Sequence, residues 1–330
     1  MTSGNSKEKY TTLILGAGAS EHLKYPLGRD LVKDIYELKG KIKESSWSEN
    51  ELNTFFDHLR EYEPDSIDEY LGRQQKRNMT SQIDIGKFLI SHVLKKNESK
   101  EKLFSNSGWY RILRNYLMDG VGNFKKTKPL AIITFNYDRS LDAYLHHRYH
   151  ERCSDKGISW EDSWAELQCK LPIIHVHGML GSYPKIPYEE KFEGNDLLKL
   201  SKEIKIIHEL TKIKNGFANE EFKLANEYLT KSDKIVFMGF GLHKENIERL
   251  NYFNTKNMHG LLEISGAFGH ISEFEFSKIL ENNDSRQLKK DMKNAHKNQN
   301  VRFNTCNEFV RYQELIDLSK EFSRMYDLKW

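Results

Sequence analysis

Four short segments of this 330-residue chain carry residue types that can do chemistry, and each closes or follows a run of apolar, strand-forming residues. Gly16-Ala17-Gly18-Ala19-Ser20 follows residues 11–15 (TTLIL). Thr134-Phe135-Asn136-Tyr137-Asp138 closes residues 130–134 (LAIIT). His175-Val176-His177-Gly178 closes residues 171–176 (LPIIHV), and Gly239-Phe240-Gly241-Leu242-His243 follows residues 234–238 (KIVFM). Glycines after a strand permit a tight turn and a close backbone approach to a pyrophosphate, whose charge is favoured at the N-terminus of the next helix. The first segment is not a GxGxxG, because position 21 is Glu21, and no Gly-Lys-Ser/Thr follows to make a P-loop. An ordinary strand-to-helix turn would use the same glycines, but their place on the first strand favours dinucleotide binding.

Asn136 offers both a donor and an acceptor, so it can hold a water or a ribose hydroxyl. Asp138 can orient a neighbour or cap the helix that starts at Arg139. His175 and His177 alternate, which puts them on one side of a strand. Three readings stay open for them: a metal pair, a single catalytic base with Gly178 leaving room for substrate, or two structurally satisfied histidines. Gly239 and Gly241 can cradle a phosphate or ribose, while His243 and Asn246 serve equally well as helix caps. Ser66-Ile67-Asp68-Glu69 has the form of a capping box, which makes its carboxylates structural. His146 and His150 share one helix face and, without a partner motif, read as surface or packing residues.

The elements that must position these residues alternate. Six strand candidates, the four above plus residues 260–264 and 300–303, are mostly separated by helical stretches. The pattern predicts an α/β fold: a Rossmann-like, doubly wound parallel sheet of about six strands with a helical insertion module. The predicted core comprises residues 1–34 and 129–330, the inserted helical module residues 35–128, and a second polar, helical insertion residues 193–230. In such sheets ligands sit outside the carboxyl ends of the strands, where all four segments lie.

Composition narrows the classes. Lys+Arg is 51 and Asp+Glu 48, a net charge of +3 that requires neither a nucleic acid nor a membrane partner. Aromatic residues make up 12%, which argues against disorder. Three cysteines, Cys153, Cys169 and Cys306, form no CxxC pair, which excludes a disulfide framework and a four-thiolate zinc site. The polar N-terminus and the lack of any run near ~20 apolar residues lead to the expectation of a cytoplasmic protein.

Together the four segments resemble the sirtuin-like NAD-binding domain, in the bacterial branch that serves as antiphage effectors. They occur in the family's order. GAGAS resembles the first phosphate-binding loop, TFNYD the TQNxD-type motif with its asparagine at Asn136, HVHG the HG motif with its histidine at His177, and GFGLHKENI the glycine segment after the next strand. The resemblance covers roughly residues 11–30, 129–182 and 233–310. Two departures matter. Phe135 stands where deacylases have glutamine, and residues 179–233 contain no cysteine, so the zinc ribbon beside the acyl-lysine groove is lacking.

The resemblance therefore implies cleavage of the nicotinamide–ribose bond of NAD with water as acceptor, in abortive-infection defence, rather than peptide deacylation. It assigns Asn136 to positioning water or the ribose hydroxyls and His177 to general base. Asp138, with Tyr137, would hold the local network. Gly16, Ala17, Gly18 and Ser20 would line the pyrophosphate, Gly239, Gly241 and Ser265 the adenine-side ribose and phosphate, and Thr134, Tyr137 and Gly178 would join them in binding the cofactor. Arg29 would reach the pocket mouth. NAD is the expected substrate and no metal is expected. A homo-oligomer, or a separate sensor such as a helicase-type ATPase, a nucleotide-sensing enzyme or an Argonaute-like protein, is the expected partner. A non-catalytic NAD or ADP-ribose sensor and a metal-dependent hydrolase built on His175 and His177 are the alternatives.

Overall fold

The computed structural model describes residues 10–42, 46–121, 123–125, 127, 129–192, 194–206, 220–240, 246, 250 and the backbone of 263–267. Its centre is a sheet of five parallel strands: β1 (Tyr10–Leu15), β2 (Leu130–Thr134), β3 (Ile173–His175), β4 (Ser232–Met238) and β5 (Glu263–Ala267), in the order β3-β2-β1-β4-β5. All five residues of β2 (LAIIT) are buried, as are the last four of β1. Continuous apolar strands are what a parallel sheet covered on both faces requires, because neither face meets water. The chain steps outward from β1 to β2 and β3, then returns to the other side of β1 as β4 and β5. The direction of travel thus reverses between β1 and β4, and the strand ends there form the crevice where doubly wound sheets bind ligands.

Between β1 and β2 lie six helices: α1 (Gly28–Tyr36), α2 (Glu49–Tyr62), α3 (Ile67–Lys76), α4 (Thr80–Asn97), α5 (Lys100–Ser105) and α6 (Gly108–Leu117). Helix starts follow local chemistry. Ser48 and Glu51 form a reciprocal capping box on α2, and Ser66 and Ser99 accept from the third amides of α3 and α5. α4 is the axle of this module. Ile85, Phe88, Leu89 and Ile90 are all fully buried, so it is apolar over most of its circumference. The apolar residues of the module and of the sheet, from Phe55 and Phe88 to Ile132 and Val236, form one contiguous cluster. The expected boundary after residue 34 falls inside α1, which packs on α3 and α4.

α7 (Ser140–Cys153) and α8 (Trp160–Lys170) lead from β2 to β3, and α9 (Gly194–Ser201) and α10 (Glu220–Lys231) lead to β4. α10 packs against β1, β3 and β4. β3 is shorter than the expected 171–176. Leu171 ends α8 by donating its amide to Leu167, Pro172 has no amide to donate, and the chain turns at Val176. β5 runs further than the expected 260–264, passing through Ser265 to Ala267, while residues 260–262 lie outside the described residues. The sixth strand candidate, residues 300–303, lies outside the described residues, as does the helix expected after β5; of the helix expected after β4, Asn246 and Leu250 are described, and Leu250 donates its amide to the Asn246 carbonyl. No helix among the described residues is long and apolar enough to cross a membrane.

Candidate functional site

The carboxyl ends of β1, β2, β3 and β4 meet along one edge of the sheet, and direct contacts join them. The two glycine segments interlock. Gly16 donates its amide to Met238 and Gly18 to the Gly239 carbonyl, each at 3.0 Å. Gly239 has φ +58°, and a Cβ there would lie 2.6 Å from Gly18 Cα and closer still to the Ala19 nitrogen. A side chain at 239 would therefore push the first loop off its neighbour.

This interlock changes the expected phosphate cradle. The amides of Gly16, Gly18, Ala19 and Ser20 are all donated to protein carbonyls. Ser20 is buried, with its hydroxyl between Asn136 and Tyr110, which leaves Ala17 as the exposed residue of the loop. Two short 3-10 turns, Ala17–Ala19 and Glu21–Leu23, follow the strand, and α1 starts only at Gly28. The helix was expected from about Leu27 and begins there, so its N-terminus does not lie directly behind the glycines. Two residues of α6, which the sequence did not single out, latch the loop instead. Trp109 Nε1 donates to the Ala19 carbonyl at 2.8 Å, and the Tyr110 hydroxyl lies 3.4 Å from Ser20 Oγ.

Asn136, half-buried beyond the end of β2, is held at three points. Its amide nitrogen donates to Thr134 Oγ1 at 3.1 Å, its side-chain Nδ2 donates to Ser20 Oγ at 3.2 Å, and its carbonyl accepts from His175 Nδ1 at 3.1 Å. Thr134 therefore supports the turn through its buried hydroxyl rather than facing a ligand. The network continues inward from Ser20. The Tyr110 hydroxyl is 2.8 Å from Ser140 Oγ, and Asp138 Oδ1 accepts both the Ser140 amide and its hydroxyl. Asp138 thus does what a cap does at the start of α7. Burial raises its pKa, against the opposing hydrogen bonds from Ser140 and Ser20. Tyr137 donates to Asp68 of α3, so a carboxylate read as structural belongs to the lining of this strand end.

The two histidines of HVHG part company. His175 is buried and both of its ring nitrogens are engaged, Nδ1 by the Asn136 carbonyl and Nε2 by Asp142 Oδ2 of α7 at 3.0 Å. It has no lone pair left for a metal ion, which removes the paired-ligand reading. His177 lies past the strand in a turn and is 3% exposed. Its ring packs edge-on against Phe135 at 5.1 Å and tilted against Tyr137 at 6.1 Å, the two neighbours of Asn136, with Phe222 of α10 at 6.1 Å. Phe135, the departure from the family motif, is therefore one wall of the histidine's pocket.

Gly178 has φ +68°, and a Cβ there would overlap the Glu203 carbonyl. The room made by this glycine is filled by the chain around Glu203, not left for a substrate. Arg29 lies on the exposed first turn of α1, where it pairs with Asp65. Ser265 sits inside β5, opposite Val236, rather than in the turn that follows. Gly241 and His243 lie outside the described residues. His146 is fully buried against Tyr183, Ser163 and the Trp160 carbonyl, a packing role as expected. No group of His, Cys, Asp and Glu that could hold a metal occurs among the described residues. No protein-family model matches the chain, and no curated protein matches it significantly.

Proposed function

We propose that this protein is an NAD glycohydrolase that converts NAD and water to nicotinamide, ADP-ribose and a proton. One observation carries the reading. At the strand-order reversal, the first glycine loop grips Asn136 through Ser20, while His177 packs on both residues that flank Asn136. A pyrophosphate would lie over the exposed Ala17 tip of the loop, beside the Gly239 backbone that packs against Gly18. Asn136 Nδ2 is fixed by Ser20, so its Oδ1 is turned to accept a hydrogen from water or a ribose hydroxyl. His177 would take the other proton of the attacking water as general base, in a pocket whose aromatic walls exclude bulk water while positive charge develops on the ribose. Asp138, Thr134 and Tyr137 support the geometry without touching the substrate. Gly16, Gly18 and Gly178 act through backbone packing.

The same reading makes the protein an effector that depletes NAD during phage infection, switched on by oligomerisation or by a separate sensor; the family resemblance supports this part. The test is nicotinamide release, measured on the full chain alone and on the complex recovered from its native host. Asn136→Ala and His177→Ala are each expected to lower kcat about a hundredfold or more. Wild-type turnover by both variants refutes the mechanism. Tight NAD binding without nicotinamide release under any condition replaces it with a sensor.

A further inference from the structure

Asp142 and His175 have no role in the reaction described above, yet they form a deeply buried charge pair beside it. Both of His175's neighbours in the plane of its ring are acceptors: the Asn136 carbonyl at 3.1 Å from Nδ1 and the Asp142 carboxylate at 3.0 Å from Nε2. A neutral imidazole carries one N–H and cannot donate to both, so beside an ionised Asp142 both nitrogens carry hydrogen. The side chains of His175 and Asp142 are 4% and 2% exposed, so neither is neutralised by solvent. The second carboxylate oxygen of Asp142 has no hydrogen-bond partner among the described residues, so its charge serves His175.

The consequence reaches Asn136. Its amide is fixed by Thr134 and its side chain by Ser20, both through neutral hydroxyls. The bond from His175 is the only charge-assisted one of the three, and such bonds are roughly twice as strong as neutral ones. We infer that His175 and Asp142 are positioning residues: the carboxylate keeps the ring doubly protonated, and the ring clamps the Asn136 peptide so that its side chain faces the reacting bond. Burial opposes charge on the ring and is the largest influence on it. Asp142, the Asn136 carbonyl and Asp138 together outweigh burial, and the net pKa is raised. This inference rests on the assignment of Asn136 to NAD cleavage, but its two halves can be tested apart.

The first test needs no activity. In full-length protein labelled with 15N-histidine, His175 is expected to keep two ring N–H resonances as pH rises past the ordinary histidine pKa of ~6.5. A single N–H there, with the proton on Asp142 or absent, overturns the inference. The second test uses two variants. In Asp142→Asn, the new amide can donate to Nε2 while Nδ1 still donates to Asn136, so the clamp survives without the charge. Its kcat is expected within about threefold of wild type, with one ring N–H. Asp142→Leu leaves Nε2 unpaired and frees the ring to turn. Its kcat is expected to fall ten- to a hundredfold with KM within about twofold, the cost of misplacing a reacting group. Equal kcat in both variants, or a change in KM alone, overturns the inference. If wild-type protein releases no nicotinamide, the enzymatic reading fails while the resonances still decide the state of the pair.

Discussion

The buried ion pair that ties the helical module to the sheet makes an unequal prediction for its two partners. Arg139, just before α7, is fully buried. It donates through Nε and Nη2 to the two oxygens of Glu98 at 2.7 and 3.2 Å, and to the carbonyls of Ile186 and Pro187 at 2.8 and 3.0 Å. Glu98 ends α4 and also accepts from the Glu189 amide at 2.9 Å and from Lys95. Glu98→Gln leaves a guanidinium with no countercharge except through a neutral amide, while Lys95 can still turn toward water. Removing one partner of such a pair costs about 3–5 kcal/mol. At about 2–4 °C per kcal/mol for a chain of more than 150 residues, the melting temperature should fall by roughly 10 °C. Arg139→Met is the milder change, because Glu98 keeps Lys95 and the Glu189 amide. Its cost of about 2 kcal/mol comes from the stranded Ile186 and Pro187 carbonyls. The double variant Glu98→Gln with Arg139→Met leaves no buried guanidinium without a countercharge and should recover at least ~2 kcal/mol relative to the sum of the single changes. Guanidinium denaturation followed by Trp fluorescence measures all three. Additive losses, or a Glu98→Gln loss below about 1 kcal/mol, would refute the argument that uncompensated buried charge dominates here.

Two further outcomes follow from the geometry. Gly239→Ala places a methyl group against the backbone of Gly18 and Ala19 at a positive φ, so it should destabilise the protein by several kcal/mol and abolish NAD binding, read by calorimetry; binding at wild-type affinity would show that the two loops do not interlock. Burial drives the pKa values of His22 and His146 down to about 4 from the ordinary 6.5. Their neutral forms therefore favour the fold above pH 6.5, and that stability is lost as pH falls toward 4. His146→Asn should flatten this acid limb of the denaturation curve, and an unchanged pH dependence would remove His146 from the account.

What the sequence determined by itself was the local part. Apolar runs ending in GAGAS, FNYD, HVHG and GFG specify strands that stop where polar residues begin, and four of the six strand candidates recur in the sheet within a few residues. A fifth overlaps its strand only partly. The cap at Ser66 was equally legible, because a cap acts within a single turn. The boundary inside α1 was missed because one apolar cluster runs through module and sheet, and no change in composition marks a seam that packing has closed. The strand order, and with it the crevice between β1 and β4, was decided by tertiary packing alone.

The same holds for the division of labour in the site. The alternation of His175 and His177 is identical to the eye in sequence. Only the approach of Asp142 and of the Asn136 carbonyl commits the first to a clamp, and only the turn at Val176 carries the second into an aromatic pocket. Gly16, Gly18 and Gly178 were expected to make room for a ligand, but backbone from distant segments fills that room. Trp109 and Tyr110 carried no motif, and Asp68 was read only within a capping box, because their role is contact with strand ends far along the chain. Residue type and spacing announce which groups can react. Which of them face a substrate is fixed by what else the fold brings within hydrogen-bond reach, since a donor or acceptor taken by the protein is no longer available to a ligand.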